Sequence, residues 1–420
     1  MFTSSLSARA RSRRAHYLSA AGVFGALGCQ AGVWAVQLAP LSLGLGLDPA
    51  TLGIAVTVAA ASGLVTLFVG GALADRAGCR PVLVIGFAGT ATAFALLAAL
   101  AQNFATLMPA VLLYGLAISF LDLGANTVGS AYEQAHATTA MTGLHAWFSA
   151  GALTGAISSA AALHAGMSYR DVYLALAAVM ACGLVAAALA AIPAPPVPSL
   201  PVGVIPGRRP RRVASPRVWR IPAVLFAIAV IGVTFFGDGA LESFLSTYLQ
   251  TTLAGGVLLS GIGIGSYHFA SLLGRLTSAA ALRRFGERRV MLAAGLLAAA
   301  GLLAAVAAPA AAGAVGGLLL AGFAIAPVVP ATLSLAGRSA PGRSGQAVAT
   351  TTAAGYGAFI VSPLIIGLLA QATSLRLALA LLIPTSLAIA ALATRWPLAP
   401  ATPHPEPPVR PADSKLPGAP

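Results

Sequence analysis

The sequence predicts an all-α integral membrane protein with 12 transmembrane helices in two six-helix halves, and three observations carry that expectation. Hydrophobic residues make up 58% of the chain and charged residues only 8%, whereas soluble domains carry roughly 25% charged residues to cover a water-facing surface. Charge-free stretches recur along the chain, and each can supply the ~20 apolar residues that cross a ~30 Å hydrocarbon core. The basic residues gather in alternate loops, the asymmetry that orients membrane helices.

The elements follow in chain order. The first apolar stretch comes after Arg11, Arg13 and Arg14 and is uncharged from Ala15 to Leu47. A signal-peptide core is only about 7–15 residues, so this stretch reads as an uncleaved first helix. Helices are expected over 18–42, 51–74, 81–101, 105–131, 141–164, 171–192, 220–248, 257–281, 288–308, 311–336, 345–370 and 374–394. Pro81 to Leu121 is too long for one crossing and breaks at Gln102-Asn103, making a helical hairpin, and Val290 to Gly337 repeats this around Ala308-Pro309. Residues 1–192 then form the N-terminal half and 220–396 the C-terminal half. Between them, 193–219 is Pro-rich, carries Arg208, Arg209, Arg211 and Arg212, and reads as a cytoplasmic central loop. The Pro-rich end, 397–420, has little apolar material and reads as a disordered tail.

With the N-terminus placed inside and the loops alternating, both termini are cytoplasmic. Arg76, Arg80, Arg275, Arg283, Arg284, Arg288, Arg289, Arg338, Arg343 and Arg395 then join the terminal and central-loop basic residues on the inner side. Of 24 Lys and Arg residues, only Arg170 and Arg376 fall outside. The net charge of +14 is thus an orientation signal, and no nucleic-acid partner is expected. Cys29, Cys79 and Cys182 are isolated, without disulfide or zinc spacing, and neither cofactor nor metal is expected. HExxH, GxSxG and Asp-rich metal motifs are absent from the sequence, which argues against a membrane enzyme. Neither the central loop nor the tail is large enough to fold as a signalling domain. Abundant Ala and a preference for Arg over Lys suit a GC-rich bacterial genome, hence a multi-pass protein of the cytoplasmic (inner) membrane.

Ionisable residues are costly inside a bilayer, so each is a functional candidate. Asp122, Asn126 and Glu133 share one face of the fourth helix, with Asp122 near mid-depth and Glu133 near its cytoplasmic end. A protonatable acid beside an amide suits proton coupling and the binding of substrate hydroxyls; a structural Asp–Asn hydrogen bond between helices would use the same residues. Asp238 and Glu242 lie one turn apart in the outer half of the seventh helix. Neighbouring acids raise each other's proton affinity, although a solvated acidic vestibule would look alike. His268 falls near the midplane of the eighth helix, and His145 opens the fifth. Histidine relays protons near neutral pH and equally serves as a packing residue. Gln30, Trp34 and Gln37 share a face of the first helix, and Tyr356 lies midway along the eleventh. Facing a cavity, they would suit a polyhydroxylated or mixed polar–aromatic ligand; facing each other, they would serve only packing and hydrogen bonds between helices.

An internal repeat completes the reading. The loop Gly70-Gly71-Ala72-Leu73-Ala74-Asp75-Arg76-Ala77-Gly78-Cys79-Arg80 returns 208 positions later in degenerate form, with Arg76 on Arg284, Gly78 on Gly286 and Arg80 on Arg288. The first copy resembles the signature loop between helices two and three of the major facilitator superfamily, with Cys79 at a position usually polar or basic. The resemblance implies that Gly71, Asp75, Arg76, Gly78 and Arg80 form a conformational latch, Asp75 facing the positive end of the eleventh helix's dipole. Asp122-Leu123-Gly124-Ala125-Asn126 with Glu133, His145 to Gly151, and Gly239 to Leu249 resemble fucose-permease-like sugar symporters and their bacterial relatives. That branch implies Asp122 and Asn126 in proton coupling and substrate binding. The family's antiporter signature in helix five, a Gly-Pro pair, is replaced by Gly151-Ala152-Leu153-Thr154-Gly155. The expected function is therefore proton-coupled symport of a sugar-like or small polar metabolite, by alternating access in a monomer embedded in lipid. The alternative is proton-antiport efflux of a drug-like or hydrophobic compound.

Overall fold

The structure is a computed structural model that describes residues 2–136, 138, 140–190, 192, 218–340 and 343–397, with side chains described for all of these except 2–11, 67, 68, 75 and 142. Twelve helices among them are long and apolar enough to cross a membrane. They are α1 (Phe2–Leu45), α2 (Pro49–Ala77), α3 (Cys79–Ala99), α4 (Phe104–His136), α5 (Met141–His164) and α6 (Tyr169–Leu189) in the first half. The second half holds α7 (Pro222–Thr247, continued by a π-helical turn Tyr248–Thr252), α8 (Gly256–Phe285) and α9 (Glu287–Ala307). It is completed by α10 (Ala311–Arg338), α11 (Ser344–Ala372) and α12 (Leu375–Ala393). The expected central loop and Pro-rich tail lie almost wholly outside the described residues.

Both expected hairpins break where the sequence places them. Asn103 opens α4 by accepting the Thr106 N–H on its side chain at 3.0 Å. Asp48 does the same for α2 through Thr51 N–H at 2.8 Å, Ser168 and Asp171 form a capping box on α6, and Ser374 caps α12. All four caps lie at the end of the bundle opposite the arginine-rich loops. α10 is broken after Ile325, where Pro327 offers no backbone N–H.

The two halves repeat each other. α1 packs on α5, α2 on α4, and α3 on α4 and α6; six helices later α7 packs on α11, α8 on α10, and α9 on α10 and α12. The repeat extends to single bonds. Gly78 and Gly286 both adopt positive φ, 80° and 79°, a region that glycine alone enters freely, and their N–H groups close α2 and α8 on Ala74 O and Leu282 O. The guanidinium of Arg170 donates to the carbonyls of Ala98 and Ala101, and that of Arg376 to those of Val306 and Ala308. The two arginines expected outside thus satisfy the orphan carbonyls that end α3 and α9.

The halves meet along α5–α8 and α2–α11. Their close approaches lie toward the capped end, where Gly53 faces the Pro363 carbonyl, Gly367 that of Pro49, and Gly261 fits against Ala156 and Ala160. A side chain at any of these glycines would overlap the opposite helix. Ser246 Oγ donates to Val36 O across the same seam at 2.7 Å. The interface is sealed at that end, whereas toward the arginine-rich end His145 of α5, Arg275 of α8 and Tyr356 of α11, on helices that pair across the halves, are exposed and mark a cleft.

Candidate functional site

The cleft is built from short polar segments on six helices. On α1, Gln30 is buried; its Nε2 donates to Leu27 O and its Oε1 accepts from Tyr114 OH of α4 at 3.0 Å. Trp34, one turn on, stacks on Tyr114 with ring centroids 4.3 Å apart. A stacked aromatic wall with one amide anchor results, half-exposed through Trp34.

Asp122 stands two turns beyond Tyr114 on α4. Asn126 Nδ2 donates to its carbonyl and to its Oδ1 at 2.9 and 3.1 Å. The expected acid–amide pair therefore forms within one helix rather than between two. Tyr356 of α11 is 38% exposed and interacts electrostatically with both Asp122 and Glu242. Glu242 of α7 is itself exposed although it lies within a membrane-crossing helix, and it also interacts with Tyr114, Asp238 and Arg275. Its neighbours on α4, α8 and α11 place its carboxylate in the cleft between the halves rather than against lipid.

Asp238 and Glu242, one turn apart, part company. Asp238 accepts from Tyr267 OH at 3.1 Å and lines a small pocket of about 30 Å³ within the C-terminal half, beside Thr234, Thr385 and Ser386. His268 of α8 is half-buried, its ring 5.9 Å from that of Tyr267. His145 of α5 is exposed and meets Phe24 edge-on at 5.2 Å.

Three expected site residues have other surroundings. Glu133 Oε1 accepts the N–H groups of Ala140 and Met141 at 2.5 and 2.8 Å. That carboxylate closes the turn into α5, about 16 Å along α4 from Asp122 at ~1.5 Å per residue. Gln37 is fully buried and donates to Ser159 Oγ at 3.1 Å, at the sealed end rather than in the cleft, and its Oε1 has no partner. In the signature loop, Arg80 donates to the carbonyls of Ala188 and Ala190, both at 2.7 Å, and so closes α6. Arg76 is exposed and Gly71 has open space beside it; the Asp75 side chain lies outside the described residues.

Sequence reasoning misses Tyr114, Tyr267 and Arg275. The charge pattern puts Arg275 with the cytoplasmic basic residues, yet it lies inside the α8 span, about ten residues before its end. It interacts electrostatically with Asp238, Glu242, His145, His268 and Tyr267. A signal is present: Arg275 follows His268 by seven residues, two turns on the same face.

Comparison with known proteins places this architecture. The family description "Major Facilitator Superfamily" matches residues 18–266 and 227–418. An uncharacterised MFS-type transporter of Yersinia pestis is 27% identical over 366 residues, 86% of this chain and 91% of the relative. An uncharacterised transporter of Sinorhizobium fredii is 24% identical over 352 residues, 82% of this chain and 89% of the relative. Among solved structures, a point mutant of the nucleoside transporter NupG superposes with TM-score 0.71 at 16% identity, over 91% of this chain and 99% of its own. A bacterial homologue of the human lysosomal transporter Spinster, inward-facing and unoccupied, superposes with TM-score 0.72 at 14% identity, over 92% and 97%. At such identities the structural likeness speaks for the fold alone.

Proposed function

This chain belongs to the major facilitator superfamily and is a multi-pass membrane transporter of a small solute, not an enzyme; from that premise we propose that it is a proton-coupled symporter of a small polar metabolite in a bacterial cytoplasmic membrane, acting as a monomer. Asp122 and Glu242 carry the coupled proton. What supports this reading is that one carboxylate from each half, Asp122 and Glu242, lies close enough to Tyr356 of α11 to interact with it.

The coupling is a matter of desolvation. While the cleft is open, water solvates ionised Asp122 and Glu242. Closing it over unpaired carboxylates removes that water at a cost of several kcal/mol per ion, whereas a protonated acid hydrogen-bonded to an amide closes far more cheaply. Asn126 holds Asp122 in either protonation state, because the same amide nitrogen also bonds the helix carbonyl. Gln30, Trp34 and Tyr114 supply one amide and a stacking surface for a polar ligand with a planar or ring portion. In this reading the arginine-rich loops lie in the cytoplasm and the cleft opens inward. Opening the other side separates Ser246 from Val36 and the α2 glycine faces from α11, and Asp75 latches the alternate state against the start of α11.

The test is substrate-dependent proton movement in proteoliposomes, across a panel of sugars, sugar acids and small polar metabolites. A solute that alkalinises the outside in wild type and not in Asp122→Asn supports symport. Proton flow opposite to the solute would overturn symport in favour of antiport.

A further inference from the structure

Arg275 is the basic residue that the proposed transport cycle leaves without a task. It lies within a membrane-crossing segment, where an arginine is among the costliest side chains to keep. Its side chain is exposed although it belongs to that segment. Among the described residues no group forms an ion pair or hydrogen bond with it. Structural arginines elsewhere in the protein look different: Arg80, Arg170 and Arg376 each close a helix end with two carbonyl bonds, and Arg338 pairs with Glu287. Arg275 instead keeps all five N–H donors free of any such bond. Helical side chains lean toward the N-terminus, and α8 starts at the sealed end, so this guanidinium leans inward toward the level of Asp238 and Glu242.

We propose that Arg275 is a substrate-binding residue and that the transported solute carries a carboxylate, which the guanidinium receives in the cleft beside Glu242, the acid that also interacts with Tyr114 of the aromatic wall. The inference rests on the symport reading and narrows its substrate class. Geometry suits it: a planar guanidinium with free donors matches a carboxylate in bidentate fashion, and the aromatic wall suits the remainder of the molecule. Coupling follows from the surrounding charges. Asp238 and Glu242 of α7 face Arg275, as do His145 of α5 and His268 and Tyr267 on its own helix. While Glu242 is ionised, its charge competes for the guanidinium; a proton on Glu242 removes that competitor. Protons on either histidine act in the same direction. Proton and anion therefore bind cooperatively, each raising the affinity of the other by the same factor.

The probes are matched pairs that differ in the carboxylate: gluconate with sorbitol, lactate with propane-1,2-diol, and benzoate with benzyl alcohol. Binding to the purified full chain in detergent is read by thermal shift at about pH 7.5 and about pH 5.5, where these carboxylates remain largely ionised. At least one carboxylate is expected to stabilise wild type more than its neutral partner, with tighter binding at the lower pH. Arg275→Gln weakens that binding roughly tenfold to a hundredfold, the range for a lost charged hydrogen-bond partner, and Arg275→Lys retains part of it. Equal or absent response within every pair, or full carboxylate binding by Arg275→Gln, overturns the inference. The two readings fail separately. A neutral solute that drives Asp122-dependent proton uptake preserves symport and removes the anion site. Arg275-dependent carboxylate binding without proton movement does the reverse.

Discussion

At the scale of single residues, carboxylates with similar sequence signatures divide into different jobs, and their bonding separates them. Glu133 already accepts two backbone N–H groups, so its charge serves the entry into α5. Glu133→Ala is expected to lower thermal stability by about 1–2 kcal/mol, the usual worth of a helix-start acceptor, and to leave proton-coupled uptake intact. Loss of coupling in Glu133→Gln, with a normal melting curve, would restore it to the proton path. The sequence shows that Asp122, Asn126 and Glu133 share a face, because helical spacing dictates it. It does not show that Glu133 meets the backbone of the following turn, since that contact depends on where α4 ends, five residues beyond the expected 131. Asp238 and Glu242 make the same point: spacing places them on one side of α7, but which neighbour each meets is decided by Tyr267 on α8.

At the scale of elements, helix positions are legible because membrane burial forbids charge, and the uncharged runs therefore mark the spans directly. Less legible is an element's rotation. Gln37 shares a face with Gln30 and Trp34 by count, yet it ends fully buried at the seam beside Ser159. Arg275 groups with the loop arginines by charge pattern although the expected helix 257–281 encloses it; the positive-inside pattern is so strong in this chain that it absorbs a cation placed within a span. The seam is where an element-level prediction belongs. Gly367 of α11 lies against the Pro49 carbonyl of α2, and Gly367→Val forces those helices apart at the sealed end. Ala160 is fully buried at the same seam. In a chain with Cys29, Cys79 and Cys182 replaced by alanine, Ala160→Cys is expected to react with a membrane-impermeant maleimide several-fold faster when Gly367→Val is present. An unchanged rate would mean that this approach does not hold the seam closed. Arg170 and Arg376 give a symmetric pair of tests: each substitution by alanine orphans two carbonyls and is expected to cost about 2 kcal/mol in thermal denaturation, with similar losses in the two halves.

At the scale of the whole molecule, a chain of two matching six-helix halves closes at one end and leaves ionisable groups of both halves in the space between. The duplication is readable from one loop and its degenerate copy, and it reappears in the paired turns at Gly78 and Gly286 and the paired arginine caps. What the sequence does not convey is the meeting of Asp122, Glu242, Arg275 and Tyr356, because it arises from crossing angles between helices of opposite halves. In the proposed cycle Asp122 links solute movement to a proton without being needed for the rocking of the halves. The decisive measurement compares net uptake driven by a pH gradient with solute exchange at equal pH, in proteoliposomes of wild type and Asp122→Asn. Asp122→Asn is expected to lose gradient-driven accumulation by roughly 5–150-fold, the range of a typical coupling energy, while exchange continues. Accumulation that persists undiminished in Asp122→Asn, or exchange that disappears together with accumulation, would contradict the proposed cycle.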